Sequence, residues 1–398
     1  MTSGNELPTV LLVTNIPTPY RIPLFNELDR QLKEKGMRLK VIFGAAGYPR
    51  RKWQIDMMDC RFSFQILRSR KITLFSQEKV IFTYPGLFRL IRRERPALII
   101  TNGFSLASTK LWLRSFFRKH PPYLIWSGAI ERVGRPENRL RRILRRALMG
   151  RAAGYLAYGT LAKKYFLAMG AIEEKITIAY NTVDTDFFVR ETARLRDVCN
   201  PAGIKHLLYI GDLSTRKNVI KLLKVIEGLQ EVRRDFVLDL VGDGPERENL
   251  KLYTIKNGLT DLIHFHGIKQ KQELPLFLAQ TDCFLFQTDF DIWGLVLVEA
   301  MAAGLPCLAS IYAGASADLI QDAVSGFSVD FADSEKAAEK IEWILNNPEP
   351  ARVMGRKAQE FIETKLNLIT SAEGFVRSVL DARASGHIRM NRDNDDAQ

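Results

Sequence analysis

Short apolar runs alternate with helix-period stretches along almost the whole chain, and no other feature constrains the fold as tightly. Such alternation is the signature of repeated βαβ units, which need parallel sheets covered by helices. Two series are present. The first uses TVLLVT (9–14), LKVIFG (39–44), ALIITN (97–102), PYLIWS (122–127), GYLAYG (154–159) and ITIAY (176–180). The second uses HLLYIG (206–211), FVLDLVG (236–242), LIHFHG (262–267), CFLFQ (283–287) and PCLAS (306–310), with Gly258 and Gly304 placed where helix ends favour glycine. Between them, 189–204 is polar and poorly periodic and reads as a linker. At 398 residues the chain also exceeds what one core usually serves. The expected architecture is α/β: two Rossmann-like, doubly wound parallel-sheet domains facing a central cleft, over 1–195 and 200–385. The final helix is free to return to the first domain, and 386–398 reads as a disordered tail.

Charge divides the chain. Residues 1–200 hold 36 Lys and Arg against 16 Asp and Glu, and the rest hold 22 against 29, so the halves carry +20 and −7. A basic half suits a polyanion, either nucleic acid or an anionic membrane. No nucleic-acid reader motif or aromatic stacking motif accompanies the arginines, so the membrane is the expected partner. Two helices carry that expectation. Over 138–149, Leu140, Ile143, Leu144, Ala147 and Leu148 share one face and Arg139, Arg141, Arg142, Arg145 and Arg146 cover the rest. Over 105–119, Lys110, Arg114 and Arg118 form a stripe beside Leu113, Phe116 and Phe117. No apolar run is long enough to span a bilayer and the start MTSGNELPTVLLV lacks a leader pattern, so the expected location is cytoplasmic, peripheral on the inner membrane face. Cys60, Cys199, Cys283 and Cys307 are too scattered for a disulfide framework or zinc site.

The most informative segment is TDFDIWGLVLVEAMAAGLPCLAS (288–310). A strand ends in a turn bearing Asp289 and Asp291, and Gly294 opens a short helix closed by Gly304. Free amides at such a helix start, supplied by Leu295 and Val296, suit a phosphate. Glu299 lies inside that helix among Val298, Ala300 and Met301. A carboxylate in apolar company needs a partner, such as a pair of ribose hydroxyls. The plain alternative is a solvent-facing glutamate.

This segment resembles the signature of retaining glycosyltransferases of family 4 (glycosyl transferases group 1), which share the GT-B fold of two Rossmann-like domains. The resemblance implies that Asp291 contacts the transferred sugar and Glu299 holds the ribose of a nucleotide. Trp293 and Gly294 look like a subgroup of the same family. The first acidic position is usually Glu, and Asp291 is shorter by one methylene. Other pieces follow in order: YNTVDTDFF (180–188), a glycine-led phosphate loop in HLLYIGDLSTRKNVIKLL (206–223) with Gly211, VGDGPERENL with Gly242, and HFHG with Gly267. In the phosphate loop Lys217 fits the family's lysine, whereas Asp212 stands where an arginine is usual; Arg216 is the expected substitute. The amino-terminal half departs further, with TNIPTPYR (14–21) and WSGAIERV (126–133) in place of a glycine pair and a histidine. His120 precedes its strand. Arg21, Ser127 and Glu131 follow strand ends and are the acceptor-side candidates.

The resemblance implies sugar transfer from a nucleotide-sugar to a saccharide or lipid-linked acceptor, with retention, no protein nucleophile and no cofactor or metal. Lys217, Arg216 and the helix start meet the charge of the departing diphosphate. A nucleotide-sugar epimerase of the same fold and a basic nucleic-acid-binding protein are the alternatives. Two patterns tempt a metal reading. Asp289-Phe290-Asp291 spells a two-aspartate metal grip, but it sits late, against a phosphate-type helix start. His264 and His266 alternate on a strand without acidic partners at ligand spacing and read as packing.

Overall fold

The computed structural model describes residues 7–47, 55–73, 80–117, 120–132, 137–196 and 203–384, which form two compact units. Unit 1 comprises residues up to Tyr180 together with those from Leu368 onward, and unit 2 comprises Asn181–Asn367.

Unit 1 begins with β1 (Thr9–Thr14), α1 (Ile22–Glu34) and β2 (Arg38–Phe43). Every residue of β1 is buried, as a parallel strand covered on both faces requires. Buried Asp29 ties helix to strand by accepting the Leu39 amide at 3.0 Å. There follow β3 (Ser63–Ile66), β4 (Lys71–Thr73), β5 (Val80–Phe82), α2 (Leu87–Glu94), β6 (Leu98–Asn102) and α3 (Leu106–Arg114). Ser105 and Ser108 form a capping box at the start of α3, while β4 and β5 make a separate antiparallel hairpin. The unit continues through β7 (Tyr123–Ser127), α4 (Arg139–Met149), β8 (Gly154–Ala157), α5 (Thr160–Ala168) and β9 (Ile176–Ile178). Seven of these strands form one parallel sheet in the order β3-β2-β1-β6-β7-β8-β9.

Unit 2 opens with α6 (Thr185–Arg196) and then repeats the plan with β10 (Lys205–Ile210), α7 (Ile220–Leu229), β11 (Phe236–Val241), α8 (Arg247–Lys256), β12 (Ile263–Gly267) and α9 (Leu274–Gln280). It continues with β13 (Cys283–Phe286), α10 (Leu295–Ala302), β14 (Cys307–Ser310), α11 (Ser316–Leu319), β15 (Phe327–Val329), α12 (Ser334–Asn346) and α13 (Pro348–Lys365). The parallel order is β12-β11-β10-β13-β14-β15. Its core packs α7 and α12 on one sheet face through residues such as Leu222, Ile226, Leu238, Leu240 and Ile341. The chain ends in α14 (Leu368–Ala382), which packs on α1, β8 and β9 of unit 1, with the Phe375 ring 4.9 Å from that of Trp126.

The boundaries differ from the sequence expectation. Residues 189–196 of the expected linker belong instead to helix α6, whose Phe188 and Thr192 are buried and which packs on α9, α10 and α13 inside unit 2. The second unit starts at Asn181 and ends at Asn367, and the final helix belongs to unit 1, the return that the sequence expectation left open. The expected tail at 386–398 lies outside the described residues, as do Arg118 and Cys199.

Candidate active site

In unit 2 the loops beyond β10 and β13 converge. These two strands are sheet neighbours, so the segments after their carboxyl ends lie side by side. Lys217, 5% exposed, sends its Nζ to Asp291 Oδ2 at 2.7 Å, and Arg216 Nη1 stands 3.6 Å from the same oxygen. Arg216 also donates to the Phe290 carbonyl at 2.7 Å and accepts the Asp289 amide through its own carbonyl. The three residues singled out from sequence, Asp291, Lys217 and Arg216, are thus brought together. Burial works to raise the Asp291 carboxyl, but Lys217, Arg216 and the Trp293 amide outweigh it and hold it below the ordinary range. The adjoining chain fixes this aspartate: its amide donates to Tyr312 O and its carbonyl accepts the Gly314 amide.

The other aspartate of the segment, Asp289, is also engaged by side chains. Asp289 Oδ2 accepts Asn218 Nδ2 at 2.7 Å, and Oδ1 accepts Lys221 Nζ at 2.8 Å and Gln287 Nε2 at 3.3 Å. Asn218, Lys221 and Gln287 escaped the sequence reading. Gln287 also donates to the carbonyls of Lys217 and Asn218, so it clamps both loops at once. Its place, immediately before the motif at a strand end, was the available signal.

Gly294 opens α10 at φ +120°, and a Cβ there would meet the Phe286 ring at 2.4 Å. Leu295 and Val296 supply amides at this helix start, where no carbonyl one turn back exists to receive them. Glu299 follows one turn on, with its Oε2 buried and without a hydrogen-bond partner. Burial pushes its carboxyl up to about 8, against the lowering influence of Lys271. That cation is held by Asp184 at 3.0 Å and lies over the Phe187 ring. Glu299 is half-buried, with one carboxylate oxygen turned away from solvent rather than a fully solvent-facing side chain.

Gly211, Gly242 and Gly267 end three adjacent strands. The Gly211 amide donates to Val241 O and the Gly242 amide to Gly267 O. Gly242, at φ +145°, approaches so closely that a Cβ would lie 1.8 Å from Gly211 O. Gly267 lies on edge strand β12, with open space where a Cβ would be.

The expectation that His264 and His266 lack an acidic partner is overturned. Asp239, opposite His264 in the β11–β12 register, receives His266 Nε2 at 2.6 Å and lies 3.6 Å from His264 Nδ1, and its other oxygen meets His206 Nδ1 at 3.0 Å. Among the acceptor candidates in unit 1, Arg21 is buried, Ser127 Oγ accepts the Ala129 amide, and Glu131 turns to the surface near Arg142 at 3.8 Å.

Two family models match the chain: Glycosyltransferase Family 4 over residues 25–187 and Glycosyl transferases group 1 over 198–361. The sulfoquinovosyl transferase SQD2 of Arabidopsis thaliana is 32% identical over 161 residues, 39% of this chain and 30% of that protein. The N-acetyl-alpha-D-glucosaminyl L-malate synthase of Bacillus anthracis is 28% identical over 191 residues, 47% of this chain and 49% of that one. The chain therefore spans about half the length of these relatives or less. The crystal structure of Anabaena HepE in complex with UDP aligns with TM-score 0.72 at 17% identity, over 94% of this chain and 100% of that one, which shows a shared fold.

Proposed function

Since the chain belongs to the glycosyltransferases of family 4 and group 1, with the GT-B fold, we propose that it moves a sugar from a nucleotide-sugar donor to an acceptor hydroxyl with retention of configuration. The observation that carries this reading is Glu299: a half-buried carboxyl with one buried, unpartnered oxygen, one turn into a helix opened by a glycine at positive φ. Ribose hydroxyls would satisfy the carboxyl and the diphosphate would take the helix start.

Chemistry follows from the neighbouring ion cluster. The bond from the anomeric carbon to the diphosphate oxygen breaks, the acceptor oxygen bonds to that carbon, and the acceptor proton passes to the departing diphosphate. Lys217 and Arg216 stabilise the negative charge that grows on the diphosphate, the work a metal does in other transferases. In the free chain Asp291 neutralises both cations. A bound diphosphate takes over that role and frees Asp291 for the sugar hydroxyls. No protein nucleophile is required.

The acceptor we propose is a saccharide or lipid-linked saccharide at an anionic membrane, on its cytoplasmic face, as in surface-polysaccharide or glycolipid assembly. Helix α4 supports this. Leu140, Ile143 and Leu144 are 74%, 64% and 45% exposed, alongside the exposed Arg139, Arg141 and Arg146. Apolar side chains flanked by arginines match an anionic leaflet in both chemistry and charge. Leu113 near the end of α3 and Phe116 and Phe117 just beyond it are exposed as well. The stripe on α3 is weaker than its spacing promised, because Lys110 turns inward to the Thr83 and Tyr84 carbonyls. No helix among the described residues is long and apolar enough to cross a membrane.

The test is product analysis. Purified protein is incubated with UDP-, GDP- and ADP-sugars and lipid extract, and the anomeric configuration of any transferred sugar is read by NMR coupling. Transfer with retention upholds the reading; inversion, or free sugar and epimer without transfer, removes it.

A further inference from the structure

The two units share a layout that exposes one difference. In unit 1 the chain winds outward on both sides of β1, so β1 and β6 flank a topological switch point; in unit 2, β10 and β13 do the same. Open α/β sheets bind ligands in the crevice beyond the carboxyl ends of such strands. Each unit places a buried cation there at the same distance from its central strand: Arg21 after Thr14, and Lys217 after Ile210. Lys217 has its carboxylate, Asp291. Arg21 has none.

Arg21 is 9% exposed, and its partners are all neutral. Nη2 donates to the Tyr158 hydroxyl at 2.7 Å, Nη1 reaches Thr14 Oγ1 at 3.4 Å, and the guanidinium carbon lies 4.3 Å from the centre of the Trp126 ring. Among the described residues its buried Nε has no hydrogen-bond partner, and the same holds for Thr18 Oγ1 and the Trp126 indole Nε1. Arg21 is also the N-cap of α1, where the helix dipole adds positive potential rather than relieving it. A guanidinium cannot escape burial by losing its proton. An unpaired Nε–H on a buried, uncompensated charge beyond the carboxyl end of β1, with two more unpaired polar atoms on Thr18 and Trp126, leaves hydrogen-bonding capacity that an anion would satisfy.

We propose that Arg21 anchors an anion subsite in unit 1, where the free Nε–H and a neighbouring Nη–H hold oxygens of a phosphate or carboxylate group carried by the acceptor. The word acceptor rests on the transferase reading above; the anion subsite does not. Asn102, which donates to Thr14 Oγ1 and accepts the Tyr158 hydroxyl, closes the crevice at the end of β6. An acceptor bearing an anionic group is thereby preferred over a neutral sugar.

The experiment is calorimetric titration of the full chain, without nucleotide, using inorganic phosphate, acetate and neutral methyl α-glucoside as probes. The Lys217→Gln, Arg216→Gln background removes both donor-side cations. In that background phosphate or acetate binding should persist, and Arg21→Gln should weaken it at least tenfold. Tighter phosphate assigns a phosphorylated acceptor and tighter acetate a carboxylate-bearing one, and either upholds the site. Without anion, Arg21→Gln should melt at or above the parent temperature, since it removes an unpaired charge; a purely structural arginine would give a lower melt. If Arg21→Gln does not fold, Arg21→Lys serves, with at least tenfold weaker phosphate binding expected because an ammonium cannot present the fork. Anion affinity unchanged by substitution at Arg21, or no preference for anions over the glucoside, overturns the proposal. Glu299→Ala should leave these titrations intact, so failure here and failure of the donor site are separate results.

Discussion

Lys217 Nζ and Asp291 Oδ2 stand 2.7 Å apart with both side chains mostly buried, joining the loop after β10 to the loop after β13. Removing one member leaves the other charge exposed to a low-dielectric surrounding. Lys217→Ala should destabilise unit 2 by about 3 kcal/mol in urea denaturation. Lys217→Ala combined with Asp291→Asn should recover part of that loss. Equal destabilisation in single and double variants would show that the pair is not coupled.

Arg216→Ala should slow turnover while leaving the fold within about 1 kcal/mol, because Arg216 is the outer of the two cations on Asp291. The effect belongs in kcat, where developing diphosphate charge is felt, rather than in stability. An unchanged kcat would remove Arg216 from the chemistry.

Chelation should spare transfer. The carboxylate oxygens of Asp289 are occupied by Asn218, Lys221 and Gln287, and Asp291 by Lys217. Turnover in EDTA should stay within about twofold of the untreated rate, since cations of the chain itself face the diphosphate. Collapse of activity restored by manganese or magnesium would reinstate the two-aspartate metal grip.

Stability should respond to pH through His206 and Asp239. The hydrogen bond to Asp239 raises the His206 pKa against the opposing effect of burial. Burial would raise the Asp239 carboxyl, but bonds from His206 and His266 outweigh it and lower it. A raised histidine contributes stability that is full below its ordinary 6.5 and is lost as pH climbs through the raised value. The lowered aspartate contributes above its ordinary 3.8 and loses that contribution as pH falls through the lowered value. Melting curves of the wild type should therefore decline on the alkaline side of that window, and Asp239→Asn should flatten the decline.

Membrane docking should need both chemistries of α4. Pelleting with anionic vesicles should fall as salt rises, fall when Arg139, Arg141 and Arg146 become Ser, and fall again when Leu140, Ile143 and Leu144 do. Arg145 is left in place because it is held by Glu137 at 2.8 Å and by the Tyr165 hydroxyl. Equal pelleting with neutral and anionic vesicles would refute an anionic leaflet as the partner.

The strand series and the segment bearing Asp291 and Glu299 could be read from sequence because both are local signals. Runs such as TVLLVT and CFLFQ are apolar enough to read alone, and Asp291 and Glu299 sit in one short segment. Strands β3 and β15 and the β4–β5 hairpin are too short to show a period. Helix α6 resembles linker in the sequence because its buried side is narrow, with Phe188 and Thr192 set among charges. The cluster at Asp239 was invisible for another reason: its members come from three strands, and only the sheet register brings them together. Arg21 could be placed at a strand end from sequence, but its lack of a counter-ion is a property of the folded chain.

The central claim is that Glu299 waits for a nucleotide-sugar, and calorimetry of donor binding against pH tests it most directly. A carboxyl raised to about 8 must lose its proton to accept two hydroxyls, so affinity should rise between pH 6 and 9, by up to about tenfold per unit below that value. Binding at pH 7 should release a proton, detected as a dependence of the heat on buffer ionisation. Glu299→Ala should weaken binding about 10- to 100-fold and abolish the pH dependence without lowering the melting temperature, because a buried, unpartnered oxygen is removed. Full donor affinity in Glu299→Ala, with the pH dependence intact, would contradict the assignment of this site.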